Sequence, residues 1–129
     1  MTLEEDLRAH LASKVLLTDL VGQCIQWGVR EDAPSLALHL IDAPTDRTLQ
    51  GVGGLVIARV QADCWGLSFL SAKAVGEALA ASLPANGEVV GNTKFLCCAV
   101  MSTERDRFGE SPNILFRTRF DLRVSFKPA

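Results

Sequence analysis

The chain contains no tyrosine and only two histidines, His10 and His39. Imidazoles are the side chains whose ordinary pKa lies near neutrality, so the supply of general bases is small. His10 falls in a helical stretch, His39 alternates out from a leucine-bearing strand face, and no motif follows either. Both read as surface or half-buried residues rather than catalytic bases. No GxSxG elbow is present. Gln50-Gly51-Val52-Gly53-Gly54 is glycine-rich, but it precedes a strand, lacks the dinucleotide spacing and has no Lys-Ser/Thr pair after it. Cys24, Cys64, Cys97 and Cys98 form no CxxC pair and have no histidine at ligand spacing. They read as small buried apolar residues in a reducing compartment. These absences predict a protein that is not an enzyme and needs neither cofactor nor metal.

Long apolar runs are also missing. None reaches the roughly 18 residues of a membrane-spanning helix, so no membrane partner is expected. The start, Met-Thr-Leu-Glu-Glu-Asp, lacks the basic opening and apolar stretch of a signal peptide, which predicts a cytoplasmic protein. The net charge of −2 exerts no global pull on nucleic acid or membrane. The length of 129 residues and the 48% hydrophobic content suit one domain with a core of its own.

What is present is a strong period of two near the end. Ile114, Phe116, Thr118, Phe120, Leu122, Val124 and Phe126 alternate with Arg117, Arg119, Asp121, Arg123, Ser125 and Lys127. This is a strand with one apolar face and one wet, mostly basic face. A strand over 114–126 reaches about 43 Å at roughly 3.3 Å per residue. A domain of this length is only about 36 Å across. The strand must therefore bend, bulge or overhang, and an overhang with unpaired edges suits an assembly better than a monomer.

Elsewhere, Leu3, Leu7 and Leu11 mark an amphipathic helix over 3–12, with capping-box spacing at Thr2 and Glu5. A second helix is expected over 14–21, with Ser13 as a cap and Gly22 as its stop. Strands follow at 24–27, 35–41 and 55–65, the last with Val56, Ala58, Val60, Ala62 and Cys64 on one face. Residues 42–54 are expected to form a long, mobile connection, the tip of a hairpin or an open loop. Ser71 is read as the cap of a helix to Leu83, ended by Pro84 and Asn86-Gly87. A strand at 94–101, a charged loop at 102–112 and the final strand complete the chain. The order α-α-β-β-β-α-β-β predicts an α+β fold, with a single mostly antiparallel β-sheet and helices packed on one face.

Charge is uneven along this plan. Residues 105–127 carry six basic side chains against three acids, a local +3. This asymmetry marks either an interface or a solvated strand face, and Arg59, Arg105, Arg107, Arg117, Arg119, Arg123 and Lys127 are the residues that would carry the interface. Thr45, Asp46, Arg47, Gly51, Gly53 and Gly54, with Glu104 and Asp106, are the candidates for mobile docking loops. The basic row on the last strand has no aromatic groups for stacking bases, and Asp121 interrupts it. Only weak, non-specific contact with passing DNA fits it, with several copies pooling their charge.

Two stretches carry a family resemblance. Ala58-Arg59-Val60-Gln61-Ala62-Asp63-Cys64-Trp65, followed by the helix Ala72-Lys73-Ala74-Val75-Gly76-Glu77-Ala78-Leu79, is one. Glu104-Arg105-Asp106-Arg107-Phe108, then Leu115 through Val124, is the other. Together they resemble the tail-completion proteins of long-tailed phages and prophages, also called tail-to-head joining or minor tail proteins. The resemblance implies a small α+β protomer and a hexameric ring on the tail tube, docked to head-completion or connector proteins. DNA would pass through its channel, and the family has no catalytic residues to carry over. It implies assembly in the host cytoplasm, then residence in the virion tail. On this reading Arg117, Arg119 and Arg123 face the lumen or a neighbour, and replacing all three by Glu leaves the monomer folded. The alternative is a small cytoplasmic α+β module that binds a ligand or protein between the sheet and the Gly51–Gly54 loop.

Overall fold

The computed structural model describes residues 3–42, 55–110 and 114–128. Helix α1 spans Leu3–Ala12 and α2 spans Val15–Val21. Strands β1 (Ile25–Trp27), β2 (Ser35–Asp42) and β3 (Val56–Gly66) follow, then helix α3 (Phe69–Ser82). Strands β4 (Glu88–Val90), β5 (Thr93–Phe108) and β6 (Leu115–Pro128) end the chain. The expected order and α+β class are met, with the three-residue β4 added. The six strands form one sheet in the order β1-β2-β3-β6-β5-β4. β1 and β2 pair in parallel and all other neighbours are antiparallel.

The helices cover one face of this sheet. Leu3, Leu7 and Leu11 recur one turn apart on α1 and are buried with Leu17, Ile25, Leu38, Val60, Leu79, Phe95, Leu122 and Val124 in one core. α1 also ties the two ends of the strand order together. Its Arg8 Nε donates to the Ile25 carbonyl at 2.7 Å, and Trp27 Nε1 donates to the Glu4 carbonyl at 2.9 Å. On the other side Asp6 accepts from the Thr93 hydroxyl and from the Asn92 amide. His10 is not a surface residue. It is 4% exposed, with Nε2 2.9 Å from the Ser82 carbonyl and Nδ1 3.5 Å from Glu88. Its polar atoms are satisfied inside the fold, which is what burial of an imidazole requires.

The helix ends differ from the expected ones in detail. Thr2 lies outside the described residues, and with it the capping box. Lys14, not Ser13, stands at the N-cap of α2; the Ser13 hydroxyl instead donates to the His10 carbonyl at 2.6 Å and closes α1. Gly22 stops α2 at φ 59°, its N–H donating to the Thr18 carbonyl at 2.8 Å. α3 is capped by Ser68, whose hydroxyl accepts from the Ser71 amide at 3.1 Å. Phe69 and Leu70 form its first turn and point outward, so they fall off the apolar stripe that reads as the helix start. Further along, a Cβ on Gly76 would meet Phe120 and Thr118 at 3.1 Å, so this glycine sets how closely α3 lies on β6.

Two expectations about the final hairpin are overturned. Residues 102–108 are strand, not loop: Glu104 and Asp106 belong to β5, paired with Arg119 and Arg117 of β6. The reason is that this half of β5 is polar on both faces, so it shows no apolar alternation. Nor does β6 have an unpaired edge. It is paired to β3 from Phe116 to Phe126 and to β5 along its whole length. The excess length is taken up by β5, the longer strand at 16 residues, with register shifts at Phe95/Cys97 and Val100/Ser102.

Candidate functional site

The sheet face turned away from the helices collects most of the candidate residues. Alternation along β3 and β6 sends Arg59, Gln61, Asp63, Trp65, Arg117, Arg119, Asp121, Arg123 and Lys127 to this one face. The register then decides which charges meet. Arg117 lies opposite Asp106 and grips it in a bidentate fork, Nε to Oδ1 at 2.9 Å and Nη2 to Oδ2 at 2.7 Å. Its Nη1 also comes within 3.7 Å of Asp63. Arg119 reaches Asp63 at 3.4 Å and Glu104 at 3.9 Å, and Arg59 reaches Asp121 at 2.8 Å. The hydrogen bond from Arg117 holds the Asp106 carboxyl below its ordinary range, and the same bond raises Arg117.

The basic row expected on β6 is therefore largely neutralised by acids from β3 and β5. Arg117 is 10% exposed at its side chain and sits within a network of ion pairs. A glutamate there would face Asp106 and Asp63, so of the three exchanges the one at Arg117 is expected to weaken the monomer. Arg123 is different. It is exposed, its Cα partner on β3 is another arginine, Arg59, and among the described residues it has no acidic partner.

Aromatic groups support the Arg117 fork. The Trp65 ring lies 5.5 Å from that of Phe108, and the Arg117 guanidinium stands 5.5 Å from the first and 4.6 Å from the second. Arg30, from the segment between β1 and β2, stands 5.0 Å over the Trp65 ring. Among the described residues the buried Trp65 Nε1 has no hydrogen-bond partner, and the ring contacts shown are those with Phe108, Arg117 and Arg30. Sequence reading missed Arg30, Asp63 and Phe108 as members of this cluster. Only Trp65, beside a strand end, carries a local signal.

Arg105 and Arg107 do not join the row. They pair with Thr118 and Phe116 and so lie on the opposite face of β5. There they line a shallow cleft of about 190 Å³ with Asp106, Phe69 and Phe116. A second shallow hollow of about 200 Å³ on the ion-paired face is lined by Ile41, Arg59, Gln61, Ser102, Glu104, Arg119 and Asp121. Thr45, Asp46, Arg47, Gly51, Gly53 and Gly54 lie outside the described residues, as does the ligand pocket of the binding-module alternative.

Of the cysteines, Cys64 is buried, Cys97 is exposed, and Cys24 and Cys98 are intermediate, so the expected burial fails for Cys97. The register shift beside it turns Cys97 to a strand surface that no helix covers. Burial pushes the Cys98 thiol up to about 12 and raises Cys64 further. Among the described residues no group of three or more His, Cys, Asp or Glu side chains could hold a metal ion. No helix among them is long and apolar enough to cross a membrane.

Comparison with known proteins adds a likeness at the level of fold. No family model and no curated protein matches the chain. Among solved structures, the chain is similar to one in the virion of a native gene transfer agent particle, with a TM-score of 0.70 at 15% identity. The match covers 97% of this chain and 94% of the other, so the two share a fold from end to end.

Proposed function

We propose that this chain is a structural protein of a phage-like virion and that it completes the tail, forming a ring at the head-proximal end that joins tail to head. The observation that carries this reading is the end-to-end fold likeness to a gene transfer agent virion chain. The resemblance of residues 55–83 and 104–126 to tail-completion proteins supports the finer role. So does a charged face whose arginines are mostly consumed by internal ion pairs, which suits a wall better than a ligand cradle. In this role the chain is not a catalyst and needs no cofactor. Its partners are further copies of itself, the tail-tube protein and the head-completion or connector proteins. DNA passing through the ring would meet charge non-specifically, and Arg123 is the described arginine of this face freest to offer it. The protein would assemble in the host cytoplasm and remain in the virion tail.

Native mass spectrometry and light scattering over a concentration series, with and without tail tubes, test the reading. The expected result is a discrete ring, alone or on tubes. A chain that stays monomeric and binds neither tubes nor connectors overturns it.

A further inference from the structure

The two strands that end the sheet, β1 and β4, are three residues long each. β1 covers β2 only at Leu36–Leu38, and β4 covers β5 only at Thr93–Phe95. Among the described residues, β2 is thus bare on its outer side from His39 onward and β5 from Leu96 onward. These bare stretches lie at one level of the sheet. Leu40 pairs with Val60, Val60 with Leu122, and Leu122 with Val100. The inner two members of this row are 0% and 1% exposed, while its ends, Leu40 and Val100, are 39% and 38% exposed. The neighbouring row runs His39, Gln61, Asp121, Ser102 and is polar throughout. An apolar row that runs the width of the sheet and stops in water at both edges is core left unfinished. Bare edges also leave N–H and C=O groups without strand partners.

We propose that a second copy of this chain finishes both: the Ala99–Ser102 edge of one protomer pairs with the His39–Ile41 edge of the next. This rests on the ring reading above and gives that ring its contact. β2 runs opposite to β3, β3 to β6 and β6 to β5, so β2 and β5 point in opposite directions. Rotation about an axis along the strands preserves those directions, so the contact is antiparallel and continues the alternation of the sheet. At the usual strand spacing of about 4.8 Å, Val100 meets Leu40 of the next copy and Ser102 meets its His39. Using different edges on the two partners makes the contact head-to-tail, the kind that closes into a ring. A two-fold pairing of two β5 edges would leave Leu40 and Ile41, which is 51% exposed, in water.

The test is a charge swap across the contact in the full chain, read by light scattering alone and on isolated tail tubes. Val100→Glu puts an unpaired carboxylate into the row and is expected to raise the concentration for half-assembly by about tenfold or more. Circular dichroism and a thermal melt check that it remains folded. Adding Leu40→Lys supplies the opposite charge across the contact and is expected to restore assembly. The reversed pair, Val100→Lys with Leu40→Glu, repeats the test with other side chains. Assembly of Val100→Glu at the wild-type concentration, or no rescue in either double variant, overturns the pairing. So does a wild-type chain that stays monomeric both alone and on tubes. Rings that obey the swap but bind neither tubes nor connectors would leave the pairing standing and remove the tail-completion reading.

Discussion

β5 and β6 are the two arms of one hairpin, 16 and 14 residues long, yet they sit in opposite circumstances. β6 is interior, paired on both sides, with Phe120, Leu122 and Val124 in the core. β5 is an edge, capped over three residues, and its outer half is exposed on both faces. Length and alternation alone mark β6 as the strand seeking a partner. The structure moves that property one strand outward. Strand length measures how far a sheet extends, whereas the order of the strands decides which backbone is left bare.

The largest expected effect breaks the comparison along a single row. Leu122→Ala on β6 removes a side chain that is 1% exposed and should cost about 3–4 kcal/mol in urea denaturation. Val100→Ala on β5, in the same row but 38% exposed, should cost less than about 1 kcal/mol at concentrations where the chain is monomeric. Equal costs would mean that Val100 is already buried in the free chain and that the β5 edge is not bare.

A second, smaller effect separates the arginines of β6. Arg117→Glu turns a forked ion pair into a cluster of carboxylates with Asp106 and Asp63, at a cost of about 2–3 kcal/mol. Arg123→Glu faces Arg59 across the strands and should change stability by no more than about 0.5 kcal/mol in either direction. Thermal melts of the two single variants test this. If both proved equally mild, the ion-pair network would not stabilise the fold.

How much of this was legible in the chain depends on the range over which each signal acts. β6 could be read because its apolar and polar positions alternate without a break, and α3 because Ala72, Val75 and Leu79 repeat with helical spacing. Ser68 was missed because Phe69 and Leu70, exposed in the first turn, hide the helix start. The outer half of β5 was missed because Glu104 and Asp106 look like loop charges until Arg119 and Arg117 lie opposite them. Asp63 could not be assigned to Arg119 from sequence, since they lie 56 positions apart and meet only because β3 neighbours β6. The row from Leu40 to Val100 draws on four strands and has no local trace at all.

The smallest expected effect concerns acid. Asp106 has a folded-state pKa below its unfolded value because Arg117 bonds its charged form. A carboxylate of this kind contributes stability that is fully present above its unfolded pKa, about 3.9. The contribution fades as pH falls through the depressed folded value. Asp106 is 36% exposed at its side chain, so solvent screening limits the effect to about 1 kcal/mol. Asp106→Asn keeps the shape, discards the charge and leaves Arg117 with the more distant Asp63. The wild type should therefore exceed Asp106→Asn in stability near neutral pH, and the gap should narrow as pH falls below about 4. Parallel denaturation series at neutral and acid pH measure that gap. A gap that stayed constant with pH would assign the difference to shape and hydrogen bonding, and the β5–β6 contact at Asp106 would then owe little to charge.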